Sequence, residues 1–310
     1  MTHALQHFAI TRKWPARHPD RLQLYSLPTP NGVKASIMLE ETGLPYEAHR
    51  VGFDTQDQLS PEFLSLNPNN KIPAIIDPHG PGGQPLALFE SGVILIYLAD
   101  KTGQLLPSDP AARYHALQWL MWQMGGLGPM FGQLGFFHKF AGKEYEDKRP
   151  RDRYVAESAR LLGVLNGHLK GRAWMVGDDY SIADIAIFPW VRNLIGFYEA
   201  RDLVQFDRFA EVQRVLGAFV ARPAVQRGLQ VPAALVLRQV ARMLGPVFGS
   251  GVSGAIAAGG TYAIGVSAIA YYIDGTPRSA LREVFQTAQD RALELLRSEG
   301  TNWLRQKVRK

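Results

Sequence analysis

The sequence predicts a two-layer α/β domain, then an all-helical domain, then a further helical tail. Residues 22–106 alternate short strands and helices in the order βαβ, then ββα. Residues 107–232 carry helical periodicities only, and from residue 233 the chain turns Gly-rich and apolar.

Residues 1–21 hold Arg12, Lys13, Trp14, Pro15, Arg17 and Pro19 and lack the apolar core of a signal peptide. They read as an extended arm lying on the domain, or partly disordered, on a cytoplasmic protein. Leu22–Tyr25 alternates as a first strand, and Pro28-Thr-Pro-Asn-Gly32 is a turn by composition. Val33–Glu41 has helical spacing and stops at Gly43 and Pro45. Tyr46–Val51 reads as a strand, Pro61–Leu66 as a short helix, and Ile72–Ile76 and Ala87–Phe89 as strands joined by a Gly/Pro-rich hairpin. Ser91–Asp100 is a helix running to Gly103. The helical domain is predicted from segments 111–124, 151–169, 182–198 and 206–221. Within it, Ser181-Ile-Ala-Asp184 has the spacing of a capping box, which favours a structural Asp184 over a catalytic acid.

The formal charge of +6 is unevenly distributed. Residues 233–310 hold ten Lys+Arg and five Asp+Glu, leaving 24 against 23 in the rest of the chain. A nucleic-acid-binding body therefore has little support. There are no cysteines, which excludes disulfide frameworks, thiolate metal sites and a catalytic protein thiol. His115, His138 and His168 have no partners at metal-ligand spacing, so no metal is expected. Trp119 and Trp122, at i and i+3, read as packing residues.

In a βαβ–ββα fold three loops can converge at one sheet edge: Thr29–Gly32, Asn67–Pro73 and Glu90-Ser91. Helix N-termini there present unpaired N–H groups and a positive dipole end. Residues 22 to about 230 resemble the bacterial nu-class glutathione transferases of the disulfide-reducing type. The supporting runs are Pro28-Thr-Pro-Asn-Gly-Val-Lys, Leu39-Glu-Glu-Thr-Gly-Leu-Pro-Tyr, Asn67-Pro-Asn-Asn-Lys-Ile-Pro-Ala, Leu88-Phe-Glu-Ser-Gly and Gln118-Trp-Leu-Met-Trp-Gln-Met-Gly-Gly, with Gly128–Gln133 and Tyr180–Ala186 in the helical domain.

The resemblance implies a thioredoxin-like domain over 22–106, an all-α glutathione transferase domain over 107–232, and a homodimer. It implies glutathione as cosubstrate and Thr29 and Asn31 as the catalytic pair beside its sulfur. Gln58, Lys71, Ile72, Glu90 and Ser91 match positions that hold glutathione, and Gln133 and Arg153 match contacts to a second one. Chemically, Ser91 suits the γ-glutamyl carboxylate and Glu90 its ammonium. The Ile72 backbone can pair with the cysteinyl amide, and Lys71 can neutralise the glycyl carboxylate. The expected activity is glutathione-dependent disulfide reduction. Conjugation of electrophiles and a non-catalytic glutathione-binding adaptor tethered by its tail are the alternatives.

In the tail, Leu244–Ile273 is 30 residues without a charge, with seven glycines and the spacing Gly245/Gly249. A membrane-inserted span or hairpin, a soluble helical pair meeting the body or a partner, and a fusion remnant all fit. Gly259–Gly265 and Ala270–Gly275 resemble a DUF697-type helical module, without the phosphate-binding loop a GTPase needs.

Overall fold

In the computed structural model, residues 4–231 are described, together with Glu283 and Thr287. The chain divides between Pro232 and Ala233, and the features expected of residues 244–273 lie outside the described residues. Among the described residues no helix is long and apolar enough to cross a membrane.

Four strands form one mixed sheet: β1 (Leu22–Ser26), β2 (Tyr46–Arg50), β3 (Ala74–Asp77) and β4 (Leu86–Phe89). Their order is β2-β1-β3-β4, with β1 parallel to β2 and antiparallel to β3, and β3 antiparallel to β4. Helix α1 (Gly32–Thr42) joins β1 to β2, α2 (Pro61–Leu64) precedes β3, and α3 (Ser91–Thr102) follows β4. Both long helices end where the sequence placed their stops. Gly43 (φ 70°) and Gly103 (φ 67°) take the left-handed conformation that closes a helix C-terminus.

Side chains alternate across the pleat. One face of the sheet, with Tyr25, Ala74 and Ile76, shares a core with Phe63 of α2 and with Leu5 and Ile10 of the amino-terminal arm. The arm lies on the domain, but its expected extended conformation needs correcting. The arm makes two tight 3-10 turns, Ala4–His7 and Ala9–Arg12, because it has apolar groups to bury. The Trp14 indole donates to the Arg50 carbonyl at 2.9 Å, and Lys13 pairs with Asp57 at 2.8 Å. His49 stacks on Tyr25 at 4.8 Å and bonds Gln23 at 2.8 Å, and burial pushes its imidazole down to about 4.

The helical part comprises α4 (Pro110–Trp122), a π-type turn Gln123–Leu127, α5 (Gly128–His138), α6 (Arg149–His168), α7 (Ile182–Ile195) and α8 (Ala210–Ala221). Helix α5 was not among the predicted helices, since its three glycines and a proline depress helix propensity. Packing explains them in part: a Cβ on Gly135 would sit 2.3 Å from the Tyr198 ring. The segment predicted helical over 206–221 is a 3-10 turn at Phe206–Arg208 followed by α8, and α7 ends at Ile195 rather than at 198. Trp119 packs edge-on to Trp122 at 5.1 Å and against His168 at 4.1 Å.

The chain returns after α8 to seal α1. Arg222 binds Glu41 through two bonds of 2.7 and 2.9 Å, and Arg227 binds Glu40 at 2.7 Å. The Ser36 hydroxyl donates to the Gly228 carbonyl at 2.6 Å. The start of α7 is held as its sequence predicts. The Asp184 carboxylate accepts from the Ser181 N–H and the Met175 N–H, both at 2.9 Å, and Ser181 Oγ accepts from the Ala183 N–H at 3.2 Å. Burial raises the Asp184 carboxyl to about 7 against these bonds.

Asp184→Ala leaves two buried N–H groups without an acceptor. It should lower unfolding free energy by about 3 kcal/mol, read as an earlier denaturant midpoint at unchanged slope; a midpoint equal to wild type would refute the structural role.

Candidate functional site

The turn between β1 and α1 is organised by its own side chains. Thr29 Oγ1 accepts from the Gly32 N–H at 3.1 Å, and the Thr29 carbonyl accepts from the Val33 N–H at 3.0 Å. The threonine thus satisfies the first two N–H groups of α1, and its hydroxyl proton stays available to a further acceptor. Gly32 is required by close approach, since a Cβ there would lie 2.0 Å from the Leu27 carbonyl and 3.2 Å from Ile72 Cδ1.

Asn31 is half-buried, and its Oδ1 accepts from the Trp190 indole of α7 at 2.9 Å. An indole N–H only donates, so the amide oxygen must face Trp190. The Asn31 amide NH2 is then turned away from the indole, as a donor. Two donors, the Thr29 hydroxyl and the Asn31 amide, therefore stand two residues apart at the start of α1.

Ile72 precedes β3, is buried, and is joined to Pro73 by a cis peptide bond. The loop before it is held by Asn67, whose amide donates to the Lys71 carbonyl at 2.6 Å and whose oxygen accepts from the Asn69 N–H at 2.9 Å. Lys71 itself is exposed. Gln58 lies in the single turn Asp57–Leu59, braced by Asp57, which accepts from the Gly52 N–H at 2.8 Å and pairs with Lys13. The Gln58 Oε1 is buried and has no hydrogen-bond partner among the described residues.

Glu90 is the N-cap of α3 and has φ 72°, a conformation few residues other than glycine adopt and one concentrated at ligand clamps. Ser91 follows, buried, at the helix N-terminus. Behind it lies a residue to which the sequence reading gave no role. Lys34 of α1 is wholly buried, and its Nζ donates to Ser91 Oγ at 3.3 Å, Gln123 Oε1 at 2.5 Å and Met124 Sδ at 3.5 Å. Burial lowers its ammonium to about 7, with Glu90 pulling the other way.

Thr29, Asn31 and Lys34 thus share the start of α1, with Ile72 touching it through Gly32 and Ser91 through Lys34. Gln133 on α5 and Arg153 on α6 are both exposed, and no hydrogen bond joins them to the Thr29–Asn31 turn. Arg153 lines a recess of about 440 Å³ with Met130, Tyr154, Glu157 and Arg160. Gln123 and Trp190 were also missed. Their only signals were a polar residue and an N–H donor inside apolar helical runs. Among the described residues no cluster suited to a metal ion is present.

Residues 20–100 match the family model of the glutathione S-transferase N-terminal domain, and residues 127–223 that of the C-terminal domain. The chain is 50% identical over 172 residues to the disulfide-bond oxidoreductase YfcG of Escherichia coli, covering 55% of this chain and 79% of that one. It is 42% identical over 221 residues to the disulfide-bond oxidoreductase YghU of the same organism, covering 68% and 74%. Among solved structures, a Pseudomonas putida glutathione transferase with one glutathione disulfide per subunit is 76% identical, with a TM-score of 0.73 over 74% of this chain and 99% of that one. A Burkholderia graminis glutathione transferase with two glutathione molecules per subunit is 77% identical, with a TM-score of 0.74 over 75% and 97%.

The lowered Lys34 pKa has a sign that can be read in stability. Between about pH 7 and the ordinary lysine range the unfolded chain holds a proton that the folded chain releases, so stability rises with pH across that window. Lys34→Met should remove this rise; chemical unfolding at about pH 7 and about pH 9 checks it, and identical pH profiles for the two proteins would refute it.

Proposed function

As the chain belongs to the glutathione S-transferase family, we propose that it is a glutathione-dependent thiol–disulfide oxidoreductase whose reactive sulfur is carried by glutathione. The observation that carries this reading is the Trp190–Asn31 hydrogen bond, which orients the Asn31 amide as a donor beside the Thr29 hydroxyl. Two hydrogen-bond donors favour a thiolate over a thiol and lower its pKa. The chain has no cysteine of its own to use.

Glutathione lies along the sheet edge in this proposal. Its γ-glutamyl carboxylate is bound by Ser91 and the first N–H groups of α3, its ammonium by Glu90, and its cysteinyl amide by the Ile72 backbone. Lys71 faces the glycyl carboxylate, and Gln58 supplies a further polar contact. The thiolate attacks a substrate disulfide, forming a mixed disulfide and releasing one substrate thiolate. A second glutathione thiolate, held with the help of Gln133 and Arg153, attacks the glutathione sulfur of that mixed disulfide and releases the second substrate thiolate. One disulfide is reduced, and two glutathiones become glutathione disulfide. The protein contributes thiolate stabilisation and the alignment of sulfurs. The relatives bound to two glutathiones, or to one glutathione disulfide, support a site that takes both.

We read the protein as a cytoplasmic homodimer, with Val93 of α3 and Met121 of α4 as exposed apolar surface for a second copy. Residues 22–106 and 107–232 serve as its glutathione-binding and helical domains.

Glutathione-coupled reduction of a small disulfide, run beside conjugation of an aromatic halide, tests the activity. Disulfide reduction should dominate, and glutathione binding without either activity would overturn the enzymatic reading. Asn31→Ala should lower kcat roughly tenfold to a hundredfold, with KM for glutathione changed by less than about threefold. Trp190→Phe, which frees the Asn31 amide to rotate, should give a smaller loss of the same kind. Equal losses in kcat and in affinity would argue against a role at the sulfur.

A further inference from the structure

An ammonium group is costly to bury, because it loses water on every side and can only donate. Lys34 is 0% exposed at the meeting of α1, α3 and the π-type turn, and its three partners, Ser91 Oγ, Gln123 Oε1 and Met124 Sδ, are all uncharged. Among the described residues no carboxylate forms an ion pair with it. Glu90, the charged group that acts on it, is exposed at the N-cap of α3. The other carboxylates of α1 are committed elsewhere, Glu40 to Arg227 and Glu41 to Arg222. Asp184 of α7 is held by Ser181 and Met175. A buried amine without a counter-ion, which burial makes let go of its proton above about pH 7, therefore stands directly behind a hydroxyl at a helix N-terminus.

The hydroxyl is set up to pass that charge outward. Ser91 Oγ accepts from the Lys34 ammonium, which leaves its own proton to be donated. Ser91 Oγ donates that proton to Met124 Sδ at 3.6 Å, a weak acceptor that a carboxylate oxygen readily displaces. Gly92, next in α3, packs against the same methionine, where a Cβ would lie 3.2 Å from Met124 Cγ. The lysine, the serine and the π-type turn therefore act as one unit.

We propose that Lys34 is a positioning residue for glutathione: it orients the Ser91 hydroxyl toward the γ-glutamyl carboxylate and supplies the positive charge that answers it from inside the fold. This rests on the assignment of Ser91 to that carboxylate made under the proposed function. The ligand completes an ion pair that the free protein leaves half built. The lowered pKa of Lys34 agrees with this arrangement, since an incoming anion draws a proton onto the amine.

The test is calorimetric titration of the full-length chain with two probes. One is glutathione, and the other is 4-aminobutanoyl-cysteinylglycine, the same tripeptide without the γ-glutamyl carboxylate. In wild type, loss of that carboxylate should weaken binding roughly a hundredfold. In Lys34→Met the same loss should cost at least about tenfold less, which is a coupling of about 1.4 kcal/mol. Gln123→Glu gives Lys34 a counter-charge while keeping side-chain length and hydrogen bond. It should show the same reduced preference, and it decides the matter if Lys34→Met fails to fold. Kinetically, both variants should raise KM for glutathione about tenfold with kcat within about twofold of wild type.

A carboxylate preference as large as wild type in these variants would overturn the proposal and leave Lys34 a packing residue. A wild type that binds both probes equally would overturn it as well, by removing the carboxylate from Ser91. A wild type that binds neither probe would instead sink the glutathione reading itself.

Discussion

Helix α1 is buried from Gly32 to Leu39, so each polar group on that stretch must find a partner inside the protein. The rest of the site is arranged around that requirement. Ser36 is met by the Gly228 carbonyl, Lys34 by Ser91 and Gln123, and Asn31, just before the helix, by the Trp190 indole. These partners come from the returning chain after α8, from α3, from the π-type turn and from α7. Sheet and helices are thus joined by polar contacts as well as by apolar ones. Asn31, one of the two groups placed at the candidate sulfur position, is also one of the groups that join them.

The geometry also explains why the helical part carries an irregular turn. Helix α4 stops at Trp122, and the wider turn Gln123–Leu127 brings Gln123 to the Lys34 ammonium and Met124 to Ser91 and Gly92. Wide turns of this kind recur at functional sites because they redirect side chains without breaking a helix. A buried cation, a serine at a helix N-terminus and an outlying Glu90 backbone then lie within one small region. On the opposite face of the sheet, the arm covers the core and its Lys13 braces the turn that carries Gln58.

Much of the fold was legible because local chemistry marks it. Gly43 and Gly103 end their helices, and Ser181 and Asp184 start α7. Helix α5 was not legible, because Gly128, Pro129, Gly132 and Gly135 look like a loop until Tyr198 and Trp190 are brought against them. The arm's turns are not legible, because nothing near Leu5 or Ile10 in the chain offers them a core. The core they join, which includes Phe63 and Ile76, lies tens of residues away.

The sequence by itself determined the order of strands and helices from β1 to α3, the absence of a protein thiol, and the loops that hold Thr29, Asn31, Ile72, Glu90 and Ser91. These follow from residue type and local spacing, which short-range sterics and hydrogen bonding read directly. Only the tertiary structure decided which way the Asn31 amide faces and that Lys34 is sealed inside the fold. Those depend on Trp190 and Gln123, which lie 159 and 89 residues further along the chain. Contacts at that separation form only when the whole domain has packed, and no local pattern encodes the orientation of a single amide or the burial of a single charge.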